Sequence, residues 1–428
     1  MKKTTLLATL EFLLMIVFLG AFYFRDLHLV EFHIDESHWI GTSYMFEAYF
    51  KGEFWSDAWD ESQPTLTNPP VPRYVIGISR FVGGYRIPDL NRRWDYEHNR
   101  NFNLRRGAMP SNGLLWWSRL PMALLGVFSL AMGFFLLCKV GGRLPAYLWV
   151  IFGVANPFML LQTRRAMAEA SILFFVMLAA LCCYGAIRTL RQPPEKAPWL
   201  PYLLLGLCGV CIGLAGESKI NGLSVLVGVV ASIAAFVLWQ QKDAPTSKAG
   251  KARRILGLSA LVSVVTVVVF LGSYPYLWPN LLGRTLKIAQ NRVEEMRYQS
   301  TQHPSDAIET LEQRLTIIPR RIFQDYAVFH FDGTRVLNVA LTVLGAGLTA
   351  WKVRAWAIGR DDDPAALVLL TFALTASVPA FLTLLDWDRY YLFPVFFSTG
   401  FIMLAIGWLV KQARRWTLDR GKTVYRPK

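Results

Sequence analysis

Residues 114–138 read LLWWSRLPMALLGVFSLAMGFFLLC, and from Leu120 to Cys138 there is no charged side chain. A hydrocarbon core about 30 Å thick is crossed by roughly 20 helical residues. This stretch is therefore long and apolar enough to span a bilayer. Within lipid every backbone N–H and C=O has to find its partner inside the segment, so the segment must be a helix.

The pattern recurs along the chain. Apolar segments fall near 4–24, 114–138, 145–161, 166–188, 201–217, 221–240, 255–273, 336–351, 365–385 and 391–411. The expected fold is all-α: a polytopic transmembrane bundle of about ten spans with a partly helical first external loop. Composition agrees, with 54% hydrophobic and 18% charged residues, where a soluble domain carries about 25% charged. The first segment follows Lys2 and Lys3 as a secretory signal would. It is longer than the roughly 7–15 residues of a cleavable apolar region and no small-x-small site follows it, so it reads as a retained span.

The formal net charge is +15. Much of the excess sits in short connections, Lys139–Leu144, Arg188–Trp199, Gln240–Arg254 and Lys352–Asp363, and beyond Lys411. Such clusters mark the cytoplasmic face and meet anionic headgroups, so membrane lipids rather than nucleic acid are the expected partner. Both termini then lie in the cytoplasm. The opposite face, outside an inner or plasma membrane, receives segments 25–113 and 274–335 and three tight turns near Arg164, Lys219 and Arg389. Residues 1–411 read as one transmembrane unit and 412–428 as a basic cytoplasmic tail. The first external loop holds Trp39, Trp55, Trp59 and Trp94, which suit headgroup level. In the second, Leu281–Phe323 carries apolar residues three or four apart, the pattern of a helix lying along the interface. Asp361-Asp362-Asp363-Pro364 reads as a solvated helix start. Cys138, Cys182, Cys183, Cys208 and Cys211 lie in or beside spans and read as small packing residues.

The sharpest chemical signal is His33-Ile34-Asp35-Glu36-Ser37-His38, just after the first span. Two carboxylates close to lipid are costly. They fit a general base with an orienting or metal-holding neighbour, and equally a helix N-terminus. Asn68-Pro69-Pro70-Val71-Pro72-Arg73-Tyr74 follows, where the prolines fix an extended turn. Three external turns set a cation beside a carboxylate: Thr163–Glu169, Glu217–Gly222 and Asp386–Tyr391. Each alone can be local ion pairing. Together, Asp35, Glu36, Arg164, Arg165, Lys219 and Arg389 can converge on one external cleft that offers a base and a cationic nest for phosphate. A transporter or lipid flippase also needs charges within the membrane, but near mid-span. A scaffold without catalysis does not need them gathered at one face.

In this order the chain resembles the GT-C superfamily of polytopic glycosyltransferases, most closely the branch of protein O-mannosyltransferases and lipid A aminoarabinose transferases. The resemblance rests on Asp35-Glu36, on Asn68-Pro69-Pro70-Val71, on Arg164 to Glu169 running into Phe174-Phe175, on Gly213 to Leu223 with its Lys219-x-Asn221-Gly222, and on Arg389-Tyr390-Tyr391-Leu392-Phe393-Pro394. It implies a polyprenyl-phosphate sugar donor such as dolichyl phosphate mannose, and an acceptor hydroxyl on protein, lipid or glycan at the extracytoplasmic side. It further implies an inverting single displacement with Asp35 as base. Glu36 would support it, or join it on a divalent cation if one is used. Arg165, Lys219, Arg389 and Tyr390 would hold the lipid phosphate, supported by Glu169, Asn68 and Arg164. The family often has His where Asn68 stands and usually Asp where Glu169 stands, so the branch and any metal site stay open. The tenth span is followed by the basic tail rather than a large soluble domain, an expectation against an oligosaccharyltransferase.

Overall fold

A computed structural model describes residues 3–191, 197–240, 247–331 and 333–424. The centres of two basic connections expected on the cytoplasmic side, 192–196 and 241–246, and the end of the expected tail, 425–428, lie outside the described residues. Among the described residues there is no β-strand, only an isolated bridge between Ala307 and Leu385.

The helices run in chain order as α1 (Lys3–Phe24), then α2 (Ile34–Gly41), α3 (Met45–Phe50), α4 (Gln63–Thr67), α5 (Val71–Val82) and α6 (Arg100–Arg105) in the first long loop. The bundle continues with α7 (Asn112–Gly141), α8 (Arg143–Ala155), α9 (Pro157–Arg164), α10 (Ala168–Leu190), α11 (Leu200–Ser218), α12 (Val225–Ala235) and α13 (Lys248–Gly272). The second long loop holds α14 (Leu281–Gln302) and α15 (Leu311–Arg320), and α16 (Arg335–Ala357), α17 (Ala365–Leu382) and α18 (Leu392–Val424) close the chain. Among the described residues eight helices are long and apolar enough to cross a membrane. This is an integral, multi-pass membrane protein.

One of the ten expected spans differs from the sequence reading. The segment 145–161 is broken into α8 and α9, which meet at 69°. Asn156 before Pro157 is held extended, at φ −79° and ψ 110°, because a residue preceding proline is pushed out of the helical region. Its side chain then caps α9, accepting from the Met159 N–H at 3.0 Å, with Pro157 at the first helical position, where no N–H is needed. Helix α1 runs 22 residues, Lys3–Phe24, over the first expected segment, and Thr9–Phe24 is its described apolar part. The last helix runs on to Val424, so much of the expected tail continues α18.

Helices in lipid cohere by close packing and small interface residues. At Gly209 and Gly213 of α11 a Cβ would lie 2.7 Å from the Val262 carbonyl oxygen and 2.9 Å from that of Thr266, so these glycines let α11 and α13 pack backbone to backbone. Helices α2–α5 form a cap on the bundle end that carries the C-terminus of α1. Three buried arginines hold it. Arg80 meets Glu47 at 2.6 Å, and Arg119 of α7 meets Glu36 at 2.7 Å. Arg73 donates to Thr42 Oγ1 and to the carbonyls of Asn68 and Pro64. In the second loop the expected single helix is interrupted at His303-Pro304 and resumes at α15 behind a Thr310–Gln313 capping box. Leu282, Leu286, Val293, Leu311 and Leu315 remain exposed along it, the uncovered apolar face that an interfacial helix needs.

Candidate active site

His33 starts α2. Its Nδ1 accepts from the Asp35 N–H at 3.1 Å, and its own N–H donates to Glu36 Oε2 at 3.0 Å. The two adjacent carboxylates therefore do open a helix, but with different fates. Glu36 turns inward and is wholly buried. Its carboxylate takes Arg119 Nε at 2.8 Å, Arg119 Nη2 at 2.7 Å, the Ala166 N–H at 2.8 Å and the His33 N–H. Arg119 also donates to the carbonyls of Leu27 and Val30. One carboxylate thus locks the first loop, the α1 exit, α7 and the α9–α10 turn together.

Asp35, half-buried, turns outward. Arg389 Nη1 donates to its Oδ2, and the Tyr96 hydroxyl donates to its Oδ1 at 2.7 Å. His33 Nδ1 lies 3.8 Å away. Burial pushes the Asp35 carboxyl up, but Arg389 foremost, then His33 and the Tyr96 hydroxyl, outweigh it and hold the group well below the usual carboxylate range.

Arg389 stands in a helical turn, Asp388–Tyr391, at the head of α18. Its guanidinium lies 4.6 Å from the Trp387 ring centroid and 5.9 Å from that of Tyr390, and the two rings stack on each other. Lys219 Nζ is 5.5 Å from the Tyr390 ring and 2.6 Å from Glu169 Oε1. Arg292 of α14 donates to the Tyr390 hydroxyl at 2.8 Å. Asp35, Arg389, Tyr390, Lys219 and Glu169 form one connected group. It is assembled from the start of α2, the head of α18, the segment after α11 and the first turn of α10. Arg389 and Lys219 lie close to aromatic faces, with Arg292 at the Tyr390 hydroxyl, so three cations gather in this group.

Other expected site residues lie outside this group. Arg165 Nη2 meets Glu31 Oε2 at 3.5 Å, and Arg165 Nε donates to the Glu31 carbonyl at 3.2 Å. Arg164 donates to the Arg25 carbonyl. Both are turned to the exit of α1. Asn68 lies in the cap, donating to Thr67 Oγ1 at 3.1 Å and accepting from Arg73 at its carbonyl. Sequence reasoning missed Tyr96 and Arg292, single residues in long loops with no local signal. Trp387, within the Asp386–Tyr391 turn, carries no charge to mark it.

Among the described residues no three His, Cys, Asp or Glu side chains gather to hold a metal ion. The pair considered for one, Asp35 and Glu36, diverges, and both carboxylates are committed to hydrogen bonds from protein groups. These residues do not fit a divalent cation.

The profile of the family described as dolichyl-phosphate-mannose-protein mannosyltransferase matches residues 38–286, more than half of the chain. The chain belongs to this mannosyltransferase family. The matched region takes in the first loop beyond the Asp35–Glu36 pair, the α9–α10 turn and Lys219, and ends within α14. One solved structure agrees on the fold, and two more are similar over part of their length. The archaeal oligosaccharyltransferase AglB from Archaeoglobus fulgidus, in complex with an inhibitory peptide and a dolichol-phosphate, aligns with 98% of this chain and 52% of its own at 13% identity and a TM-score of 0.54. ArnT from Cupriavidus metallidurans, bound to undecaprenyl phosphate, aligns with 94% of this chain and 60% of its own at 16% identity, TM-score 0.49. The S. cerevisiae protein O-mannosyltransferase Pmt1–Pmt2 complex bound to the sugar donor aligns with 63% and 34%, at 17% identity and TM-score 0.46. The chain spans at most 60% of the length of these three structures. No curated protein sequence matches it. Membership of this mannosyltransferase family places the chain in the GT-C superfamily.

Proposed function

We propose that this protein transfers a sugar from a polyprenyl-phosphate donor to an acceptor hydroxyl at the extracytoplasmic membrane surface, and that the sugar is mannose, as the family description suggests. The observation that carries the reading is the contact of Arg389 with Asp35, beside Tyr390 and Lys219. The prenyl chain of the donor stays among the spans while its phosphate lies at headgroup level. Arg389 and Lys219 neutralise that phosphate as the bond to the anomeric carbon breaks and it leaves. Asp35 takes the proton of the acceptor hydroxyl as its oxygen attacks from the opposite face. A single displacement inverts the anomeric centre. Glu169 positions Lys219, and Tyr96 positions Asp35. Glu36 acts by fixing α2.

The basic connections at the far end of the bundle support cytoplasmic termini and an outward-facing site. The unit 1–411 then acts as one catalytic body with two external loops, 25–113 and 274–335.

The test is incubation of purified protein with a panel of polyprenyl-phosphate sugars, reading release of free polyprenyl phosphate. Turnover of the mannosyl donor, undiminished by a chelator, is expected. Absence of turnover with every donor, in protein shown to be folded, would overturn the reading.

A further inference from the structure

Charge in the first external loop is segregated. Residues 47–61 carry Glu47, Glu53, Asp57, Asp60 and Glu61 against Lys51, whereas 86–106 carry Arg86, Arg92, Arg93, Arg100, Arg105 and Arg106 against Asp89, Asp95 and Glu97. Two of these arginines are occupied: Arg86 donates to the Phe81 carbonyl, and Arg106 meets Asp95 at 2.8 Å. Arg92, Arg93, Arg100 and Arg105 are exposed, and among the described residues their side chains make no hydrogen bond or ion pair.

This basic strip is built rigidly. Buried Asn91 donates through Nδ2 to the carbonyls of Ser37 and Ala108, and the Ser37 hydroxyl donates to the Arg92 carbonyl at 3.0 Å. Buried Asn103 donates to the Asp95 carbonyl at 2.8 Å and accepts from its N–H at 2.7 Å. The Arg92 N–H closes the base of the loop on the Gly107 carbonyl at 3.0 Å. The strip is thereby pinned to α2, and it is the strip that delivers Tyr96 to Asp35. The pinned backbone carries four exposed guanidinium groups within fourteen residues, a local excess of positive charge that an anionic partner would neutralise.

We propose that the acceptor of this transferase is an acidic polypeptide segment, drawn to Arg92, Arg93, Arg100 and Arg105 so that a neighbouring hydroxyl reaches Asp35; this rests on the transferase reading above. The guanidinium groups are spread over 92–105 and interleaved with exposed Tyr96, Phe102 and Leu104. That alternation suits an extended chain carrying acidic and apolar side chains better than a single headgroup phosphate, which needs its cations clustered.

The test uses the full chain in non-ionic detergent with fluorescent Ser/Thr peptides of equal length, one Asp-rich, one neutral and one Lys-rich. The Asp-rich peptide is expected to bind about tenfold tighter than the neutral one. The advantage should vanish when salt rises from about 0.05 M to 0.5 M, and in the R92Q/R93Q/R100Q/R105Q variant. Acceptor-independent hydrolysis of the donor should be unchanged in that variant, whereas failure of the transferase reading would show as no donor turnover in the native protein. The salt dependence of the native chain decides the matter even if the variant does not fold. Equal binding of the three peptides overturns the proposal. So does loss of co-sedimentation with phosphatidylglycerol vesicles in the variant without any preference for the Asp-rich peptide, which would assign the strip to lipid.

Discussion

Arg389 reaches back 354 positions to donate to Asp35. The contact joins the group read as base to a group read as phosphate ligand, so each is masked by the other before substrate arrives. A donor phosphate that takes Arg389 releases Asp35 from its cation. The carboxyl then moves up toward its ordinary range and becomes a stronger base when it is needed. The sign can be checked by pH. In the free enzyme Asp35 is held below the usual carboxylate range, so the acid limb of kcat/KM should lie below that of kcat, which reports the donor complex. Replacing Arg389 with Gln should move the kcat/KM limb to higher pH. Coincident limbs in the native enzyme would separate Arg389 from the donor.

Asp35→Asn should lower transfer by about 10²–10⁴-fold, the usual range for loss of a general base. Its amide oxygen keeps an acceptor for one of Tyr96 and Arg389, and Arg389 keeps the Trp387 and Tyr390 rings beside it, so membrane insertion should persist with a modest loss of thermal stability. Near-native turnover in this variant removes Asp35 from the mechanism.

Glu36 should behave in the opposite way. It is buried with Arg119 and shares four hydrogen bonds. Glu36→Gln leaves an uncompensated buried guanidinium, a loss of roughly 3–5 kcal/mol. The expected outcome is poor expression and early thermal unfolding in detergent, with the surviving folded fraction still turning over donor. A stable but inactive Glu36→Gln protein would move Glu36 into the chemistry.

The division between these neighbours explains what could be read from the sequence. The spans were legible because a bilayer core favours long apolar helices, and the breaks at Asn156-Pro157 and His303-Pro304 are where proline overrode the apolar pattern. The site was legible as a set of turns at one face: Asp35, Lys219, Arg389 and Glu169 do meet. Which of two adjacent acids turns outward to Arg389 was not legible, since helix phase and the position of Arg119 decide it. Nor was the commitment of Arg165 to Glu31, because an arginine in a turn has carboxylates on both sides to choose from. Tyr96 carries no local pattern and is found only once the loop folds back on α2.

Lys219 is held by Glu169 at 2.6 Å and faces the Tyr390 ring. Lys219→Gln removes a cation from the phosphate nest and should raise the KM for donor about tenfold or more, equivalent to about 1.4 kcal/mol. Glu169→Gln keeps a hydrogen-bond acceptor but not the charge that fixes the ammonium group, so a smaller rise in the same KM is expected. If the two substitutions alter only the acceptor KM, these residues belong to the other substrate.

His38 supplies a pH dependence of stability distinct from that of activity. Burial, and then Arg73 beside it, push its pKa down to about 3, with Asp35 opposing and Arg93 adding to the depression. The folded state thus keeps the imidazole neutral where the unfolded chain, near pH 6.5, would already protonate it. The unfolded state binds the extra proton, so stability falls as pH drops below about 6.5, by up to about 1.4 kcal/mol per pH unit until the folded pKa is reached. Asp35 adds to the loss only below its own unfolded value near 3.8, because its folded pKa lies lower still. Thermal unfolding of the detergent-solubilised protein should therefore move to lower temperature between pH 6.5 and pH 4, and His38→Gln should flatten that slope while leaving any further loss below pH 4 in place. An unchanged slope in the variant would mean that the acid sensitivity arises elsewhere in the cap.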